Sequence, residues 1–382
     1  MRPGFFLAFI ALLAPALAQE PPYTVAPGLF DVARPGDLGL RPAPGTQTFT
    51  IFRPHAGAMQ YNNGVVLMPF KGRLYAQWQS SARDEDAPDT FVAYSTSPDG
   101  EHWSAPMVLS PSGRAMHTSG GWWTDGKTLV AYINVWPEGF DSGSGGYAEY
   151  RTSADGVHWS KPHRVLGADG KPIEGIIEQD PHALPDGRIV TAFHERPGLI
   201  VSPYYTDDPK GLSGWTKGIM KNLPQLGPQS RELEPSWFRR RDGCLVMVFR
   251  DKADTFRQLA SVSCDRGANW TTPVLTNMPD SRAKQSAGNL PDGTAFLVNA
   301  PSGNMTRLPL TITLSEDGRL FDRAYVLRGD ADLQPLRLPG KYKRLGYHYP
   351  KSIVWNGYLT VSYATNKEDV ELTRVPLESL ER

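Results

Sequence analysis

The sequence has no excess of charge of either sign and few long apolar runs. Lys and Arg together number 40 among the 382 residues, as do Asp and Glu, so no net charge attracts the chain to nucleic acid. Beyond Ala18 no apolar run is long enough to span a membrane. No segment shows the periodicity of a long amphipathic helix, which excludes a helical bundle. Aromatic residues make up 10% of the chain, so a sizeable core is expected.

The segment MRPGFFLAFIALLAPALA, which opens the sequence, has the order of parts found in a secretory signal peptide. One Arg near the start is followed by an apolar run and by Ala16-Leu17-Ala18 before Gln19. The run is too short, and its flanks are wrong, for a membrane anchor. We therefore expect a monomer that is secreted or periplasmic, with residues 19–48 as an N-terminal extension.

Cysteine is scarce, since Cys244 and Cys264 are the only two. Two cysteines cannot form a disulfide scaffold. They lie in two strand-like runs joined by a turn around Asp254, and such a hairpin places them opposite each other. In an oxidising compartment they form one bridge; the alternative is two buried thiols.

What the chain does contain is a repeat. The segment Ser97-Pro-Asp99-Gly100-Glu-His-Trp103 recurs, with a Ser or Thr in the first place at 153, 206, 263 and 315. The copies are therefore 56, 53, 57 and 52 residues apart; the third is degenerate, and the last has Phe321 in place of Trp. Each copy follows a strand-like run, and further Gly-containing turns and strands lie between copies.

Strands in groups of about four, with one aromatic signature per group, predict an all-β protein folded as a single β-propeller. The 334 residues 49–382, divided by a period of about 55, give about six four-stranded antiparallel blades; seven tighter blades are the alternative. We expect the repeats at outer turns, where Asp caps the turn and Trp packs between strands. Their role is then structural.

These repeats resemble the Asp-boxes, or BNR repeats, of sialidases and their propeller relatives. The resemblance covers nearly all of residues 49–382 and implies the propeller fold. It says less about the reaction, because non-enzymatic propellers carry the same boxes. In sialidases an Arg triad grips the substrate carboxylate, a Tyr backed by a Glu attacks, and an Asp acts as the acid.

Three segments resemble those that carry the sialidase acid, base and nucleophile. ARDEDAPDT resembles the acidic loop before the first box, which implies Asp84 as the acid, with Asp86 as the alternative. ELEPSWFRRRDG implies Glu234 as the partner of the tyrosine. GYHYPKSIVW implies Tyr349 as the tyrosine itself, with Tyr347 as the alternative.

Arg257 and Arg307 resemble the second and third sialidase arginines, because each precedes a strand that leads into a box. The first arginine has no direct counterpart. Arg53 lies upstream of the strand where it is expected, and Tyr61-Asn62-Asn63-Gly64 precedes that strand. Either Arg53 reaches in from an altered loop or Asn62 replaces it in binding the substrate. A site with two arginines fits a planar uronic acid carboxylate as well as a sialic acid.

Histidines near the expected ends of the inner strands indicate a second chemistry. The candidates are His117 for substrate binding and His182 for proton transfer, beside His194 and His348. No two of them have ligand spacing on one element, so we expect neither a metal nor a cofactor. Histidine and tyrosine beside a neutralised carboxylate suit β-elimination at a uronic acid, since the arginine pairing eases removal of the C5 proton.

The resemblance therefore implies an exo-acting enzyme that cleaves an acidic oligosaccharide or polysaccharide. Within the superfamily, the segments YNNG, DEDAPDT and GYHYPKSIVWNGYLTVSYATN resemble the branch that removes terminal rhamnose from glucuronate, by lysis or hydrolysis, more than true sialidases. An exo-α-sialidase is the alternative. A glycan-binding propeller without catalytic activity is the second alternative.

Overall fold

A computed structural model describes residues 20–55, 57, 59–111, 113, 115–179 and 181–380. Within these residues the chain forms 29 β-strands and a single 3-10 helix, with no α-helix. No helix in this part of the chain is long and apolar enough to cross a membrane. The segment predicted to be a signal peptide, residues 1–18, lies outside the described residues.

The strands form a six-bladed β-propeller, as the repeats predict. Two short segments come first: β1 (Thr24–Val25) and β2 (Gln47–Phe52). Blade I contains β3 (Tyr61–Phe70), β4 (Arg73–Ser81), β5 (Phe91–Ser97) and β6 (Met107–Ser110). Blade II contains β7 (Met116–Thr124), β8 (Leu129–Trp136), β9 (Tyr147–Ser153) and β10 (His163–Arg164). Blade III contains β11 (Gly175–Ile177), β12 (His182–Ala183), β13 (Ile189–Glu195), β14 (Ile200–Thr206) and β15 (Thr216–Lys217), and the short β16 (Ile219–Met220) follows it.

The remaining three blades repeat the same antiparallel order. Blade IV contains β17 (Glu232–Arg239), β18 (Leu245–Asp251), β19 (Arg257–Ser263), the short β20 (Asn269–Trp270) and β21 (Val274–Pro279). Blade V contains β22 (Ser286–Asn289), β23 (Ala295–Asn299), β24 (Leu310–Ser315), the short β25 (Leu320–Phe321) and β26 (Arg323–Arg328). Blade VI contains β27 (Tyr347–Trp355), β28 (Tyr358–Thr365) and β29 (Asp369–Pro376), followed by the 3-10 helix Leu377–Ser379.

The ring is closed by the N-terminal strand β2, which is the outermost strand of blade VI and pairs antiparallel with β29. The segment before β2 also packs on the propeller. There β1 pairs with β25, and Tyr23 lies between Phe238 and Phe321 while its hydroxyl donates to Gln258 at 2.7 Å. The predicted extension is thus attached to blades IV and V.

Second strands such as β8 (LVAYINVW) are buried along their whole length. A neighbouring blade covers each face of such a strand, so its sequence is a continuous apolar run and does not alternate. Buried apolar side chains form six clusters, one at each interface between neighbouring blades. The core therefore lies between the blades and surrounds the axis.

The repeats form the outer turns that the sequence predicts. In the first copy Ser97 Oγ accepts the amide of Gly100 at 2.7 Å, and Asp99 Oδ1 accepts the amides of Glu101 and His102, each at 2.8 Å. The copies at Ser153, Ser263 and Ser315 repeat these contacts. The turn follows the third strand of the blade. Its Ser and Asp side chains accept hydrogen bonds from backbone amides that would otherwise be unpaired.

The aromatic residue of each repeat occupies an equivalent place, which confirms the structural role predicted for the boxes. Each ring packs into the interface between its own blade and the preceding one: Trp103, Trp159, Trp215, Trp270 and Phe321. Cys244 and Cys264 are disulfide-bonded across the hairpin of β18 and β19, which confirms the first of the two alternatives.

Candidate active site

A cavity of about 540 Å³ opens at one end of the propeller axis. It lies where the innermost strands begin and the second strands end, since Met116 and Thr118 of β7 and Asn134 and Trp136 of β8 line it. The Asp-box turns follow the third strands, which run back towards the opposite face. The structural repeats and the cavity are therefore at opposite ends of the blades.

Glu234 and Tyr349 face the cavity from equivalent places in blades IV and VI. Each lies at a β-bulge of the innermost strand, with a positive φ of 51° and 54° respectively. Blades I and II have the same irregularity, but there Gly64 and Gly121 adopt the positive φ. A non-glycine residue in this conformation is strained, and bulges of this kind redirect a side chain at functional sites.

The Tyr349 hydroxyl and the Glu234 carboxylate interact in the cavity, since each group shifts the pKa of the other. Burial opposes ionisation of Glu234, but Arg250, with Nη1 3.1 Å from Oε2, and then Lys284 outweigh it and lower the pKa of Glu234 to about 2. Burial, and then the charge of Glu234, raise the pKa of Tyr349 well above its usual value. At neutral pH the proton therefore resides on the phenol, beside a carboxylate that can accept it.

Two guanidinium groups flank this pair: Arg250, which pairs with Glu234, and the buried Arg307. The charge centre of Arg307 lies 5.6 Å from the Tyr349 ring, and its Nη1 is 2.7 Å from Nδ1 of His348. His348 Nε2 donates to the carbonyl of Arg344 at 3.0 Å, so Nδ1 is the acceptor and the ring is neutral; burial and then Arg307 lower its pKa well below the usual value.

Both of these guanidinium groups belong to the cavity wall. Arg250 and Arg307 line it, and Arg307 is only 4% exposed. A guanidinium group carries a positive charge, and its planar donors match the geometry of a carboxylate. The cavity is therefore suited to an anion, and to a carboxylate in particular.

A carboxyl group with an elevated pKa faces the pair across the cavity. Asp86 lines the wall, and burial, followed by the charge of Glu85, raises the pKa of Asp86 to about 7. It is therefore partly protonated at neutral pH and can donate a proton.

A network of buried charges forms the floor of the cavity. Glu178 accepts from Lys284 Nζ at 2.7 Å, Lys351 Nζ lies 3.9 Å from the same carboxylate, and His194 Nδ1 lies 3.8 Å away. His194 also accepts the amide of Glu234 through Nε2 at 3.2 Å. Lys284 is 5.2 Å from the Tyr349 ring, so this network fixes the positive charge beneath the tyrosine.

Residues 72–361 match the family model described as the BNR repeat-like domain. The chain belongs to this family. No match is found among curated proteins. Similar solved structures include several sialidases, and at such low sequence identities they show the fold alone.

Three of these structures define the likeness. A protein named sialidase has a TM-score of 0.68 and 20% identity, covering 93% of this chain, which spans only 35% of that protein's length. An intramolecular trans-sialidase from Ruminococcus gnavus, in complex with oseltamivir carboxylate, has a TM-score of 0.64 and 14% identity over 91% of this chain and 99% of its own. Trypanosoma rangeli sialidase, in complex with 2,3-difluorosialic acid as a covalent intermediate, has a TM-score of 0.64 and 13% identity over 89% and 60%.

In this BNR repeat-like propeller, three of the predicted site residues meet in the cavity: Tyr349, Glu234 and Arg307. The structure does not bring Asp84 to the cavity wall. Its Oδ1 accepts the amide of Lys341 at 2.7 Å and so holds a neighbouring loop. The alternative, Asp86, lines the wall instead.

Arg257 is not part of the cavity, and our expectation for it is corrected. It is the exposed first residue of β19, whereas Arg250 lies near the end of β18, opposite Leu233 and next to Glu234. In this propeller the ends of second strands reach the cavity, so an arginine after the apolar run LVMVF is the signal that sequence reasoning missed.

His182 and His117 also lie outside the cavity. His182 pairs with Val190 near the beginning of β13, while the cavity is reached by His194 near the end of that strand. The ring of His182 packs edge-to-face against the ring of Trp237. Met116 and Thr118 of β7 line the cavity, and His117 between them points to the opposite face of the strand. On that face its Nδ1 lies 2.8 Å from Ser110 Oγ.

The residues considered for the place of the first arginine do not reach the cavity either. Asn62 is fully buried, and its side chain donates to the carbonyls of Met59 and Glu368 while accepting from Trp78. Arg53 is more than half exposed and lies 3.3 Å from Asp369. The other tyrosine considered for the nucleophile, Tyr347, is buried and its hydroxyl donates to the carbonyl of Gly329. Among the described residues, no group of three or more His, Cys, Asp or Glu side chains is placed to hold a metal.

Proposed function

We propose that the protein is an exo-acting glycosidase that releases a terminal acidic sugar from a glycan. The observation that carries the proposal is the pairing of the Tyr349 phenol with ionised Glu234, with Arg250 and Arg307 beside them at the cavity wall. A tyrosine with an adjacent base suits nucleophilic attack. The paired guanidinium groups suit a carboxylate on the sugar.

In the first step, Arg250 and Arg307 bind the sugar carboxylate and place the anomeric carbon near Tyr349. The phenol oxygen attacks that carbon while Glu234 takes the phenol proton. Asp86 gives its proton to the oxygen of the departing glycan, so the bond from the anomeric carbon to that oxygen breaks as the bond to Tyr349 forms. The product is a glycosyl-enzyme with a free glycan hydroxyl.

In the second step, Asp86 is ionised and takes a proton from water, which attacks the anomeric carbon. The bond to the phenol oxygen breaks, and Glu234 returns its proton to Tyr349. Two displacements at the same carbon retain its configuration. The site is then in its starting protonation state.

The exo-acting mode is supported by the loop between blades V and VI. This loop crosses to blade I, where the amide of Lys341 donates to Asp84, and to blade II, where the side chain of Lys341 pairs with Asp141 at 3.1 Å. It therefore walls one side of the cavity. A walled cavity of this volume suits the end of a chain better than its middle.

A second candidate is cleavage at a glucuronate that carries a terminal rhamnose, by lysis or hydrolysis. One observation favours it: Arg53 lies outside the cavity, whereas Arg250 and Arg307 lie beside Glu234 and Tyr349, and two guanidinium groups suffice for a planar uronate carboxylate. In a lysis, Glu234 would take the phenol proton as Tyr349 takes the C5 proton, because His182 lies at the other end of the axis. The C4–C5 double bond would form as the bond from C4 to the rhamnose oxygen breaks, and Asp86 would protonate that oxygen.

Product analysis on defined substrates tests the proposal. Purified protein is incubated with the 4-methylumbelliferyl glycosides of N-acetylneuraminic acid, glucuronic acid and glucose, and with a rhamnose-capped glucuronate glycan. We expect release from an acidic glycoside, none from the glucoside, and loss in Tyr349→Phe. A 2,3-difluorinated sialic acid that labels Tyr349 supports the nucleophilic role. An unsaturated uronate from the glycan establishes the lyase instead, and no action on any acidic substrate contradicts both candidates.

We also propose that the protein is exported to an oxidising compartment. The leader-like sequence before Gln19 and the bond between Cys244 and Cys264 support this, because such bonds persist outside the cytosol. N-terminal sequencing of the protein from its native cells tests it. An intact Met1 contradicts it.

A further inference from the structure

The turn between β28 and β29 carries a lysine into the cavity. Lys367 is 3% exposed, lines the wall and has a positive φ of 58°. Its neighbours fix the turn: Asn366 donates its amide to the carbonyl of Gly346 at 2.8 Å, and Glu368 accepts the amide of Leu338 at 2.6 Å. Hydrogen bonds on both sides of Lys367 therefore hold the turn in the conformation that brings the lysine to the cavity.

This turn lies beside the place where the first arginine was expected. The carbonyl of Lys367 accepts the amide of Asn62 at 3.0 Å, and Asn62 Nδ2 donates to the carbonyl of Glu368 at 2.8 Å. Asn62 begins the innermost strand of blade I with Tyr61. Asn62 thus positions the turn, which brings Lys367 to the cavity wall, where Arg307 and Arg344 are other cations near it.

The ammonium group of Lys367 has donors to spare. It forms an ion pair with Glu85, and among the described residues Glu85 is its one recorded acceptor. An ammonium has three donors, so two remain. The other charged or titratable groups around it are Asp86, Arg307, Arg344 and His348.

The charge of this lysine is retained at neutral pH. Burial lowers the pKa of Lys367 to about 8, and Glu85 opposes that effect. Glu85 is itself held by Tyr61, whose hydroxyl donates to Oε1 at 3.2 Å. The pair is thus a fixed cation and a fixed anion at the wall.

We propose that Lys367 is a substrate-binding residue that donates to the carboxylate of the acidic sugar, beside the place where the first arginine was expected, while Glu85 positions it. This deepens the proposed function and rests on it. An ammonium is a compact point charge on a flexible stem, unlike the planar fork of arginine. Lys367 therefore adds an adaptable donor to the directional donors of the arginines that line the cavity.

Binding measurements test this role without requiring turnover. Isothermal titration compares N-acetylneuraminic acid and glucuronic acid with their methyl esters, which lack the charge. In Lys367→Met we expect the affinity for the acid to fall by ~10–100-fold, the loss of a charged hydrogen bond. The affinity for the ester should stay unchanged.

Lys367→Met leaves Glu85 unpaired, so the variant Glu85→Gln/Lys367→Met removes both charges together. It should show the same loss for the acid, with a thermal midpoint near that of the wild type. The matched control Lys171→Met changes an exposed lysine and should bind as the wild type does.

The outcomes distinguish the binding role of Lys367 from the proposed reaction. If the double variant binds the acid as tightly as the wild type, Lys367 serves only as a structural partner of Glu85. If the wild type binds acid and ester equally, or binds neither, the proposal for Lys367 is wrong. An inactive wild type that prefers the acid, with that preference lost in Lys367→Met, overturns the proposed reaction and supports the binding role.

Discussion

Single side chains decide the chemistry of this site, and the clearest case is the contrast between two arginines. Arg250 pairs with Glu234 in the cavity, whereas Arg257 is exposed one strand further on. Sequence reasoning chose Arg257 because it precedes a box. The distinction depends on which strand end reaches the axis, and that follows from the register of β17 and β18.

The two arginines provide a matched pair of variants. Arg250→Ala should lower kcat/KM on the acidic substrate by ~10²–10³-fold, the scale of losing one charged donor in a closed site. Arg257→Ala should change kcat/KM little, because it removes a surface side chain. Steady-state kinetics measures both. Equal effects of the two substitutions would remove Arg250 from the proposed mechanism.

The pH dependence of kcat/KM reports on Asp86. Burial and then Glu85 raise its pKa to about 7, and the acid must be protonated to donate. We therefore expect kcat/KM to fall about tenfold per unit above about pH 7. Glu234, with a pKa of about 2, stays ionised and produces no acid limb above about pH 4.

Asp86→Asn tests the same assignment with a different readout. It should abolish that alkaline limb and cleavage of a natural glycan, yet spare much of the first step on an aryl glycoside, whose leaving group needs no proton. Asp84→Asn is the control, since Asp84 does not line the cavity. An alkaline limb that persists in Asp86→Asn assigns the acid elsewhere.

At the scale of single elements, the boxes and the cysteine hairpin could be predicted and the bulges could not. A box has a fixed set of residue types because its Ser and Asp bind defined amides. The bulges have no such signature: the residue with positive φ is Gly64, Gly121, Glu234 or Tyr349. Only pairing with the neighbouring strand reveals that these four places correspond.

The box tryptophans should contribute strongly to stability. Trp270 packs between blades III and IV, and its Nε1 donates to Gly267 at 2.9 Å. Trp270→Ala should lower the free energy of unfolding by ~3–5 kcal/mol through loss of a buried aromatic side chain. Denaturant unfolding measures this, with Val157→Ala, an exposed residue of another box, as the control. A loss below that of the control would contradict the interface role.

At the scale of the whole molecule, the repeat period predicts the ring but counts its blades poorly. Five boxes accompany six blades, because the corresponding turn of blade VI carries no box. The closing strand β2 comes from the N-terminal side and has no box either. The choice between six and seven blades therefore rests on the pairing of β2 with β29, which the repeats do not reveal.

Removal of β2 should open the ring. A chain that begins after Phe52 loses the outermost strand of blade VI and exposes the edge of β29. We expect a lower thermal midpoint, broader unfolding and self-association, measured by circular dichroism and light scattering. A chain that begins at Glu20 is the control and should behave as the complete protein. Cooperative unfolding of the shorter chain would show that β2 is dispensable.

The closure of blade VI by β2 also has a consequence for the order in which the protein is made. β2, at residues 47–52, leaves the ribosome well before its partner β29, at residues 369–376. Early blades can assemble while the chain grows, but the ring stays open until β29 has been synthesised. The slowest contact to form is thus the most distant one along the chain, and until then an unpaired strand at each end is exposed to aggregation.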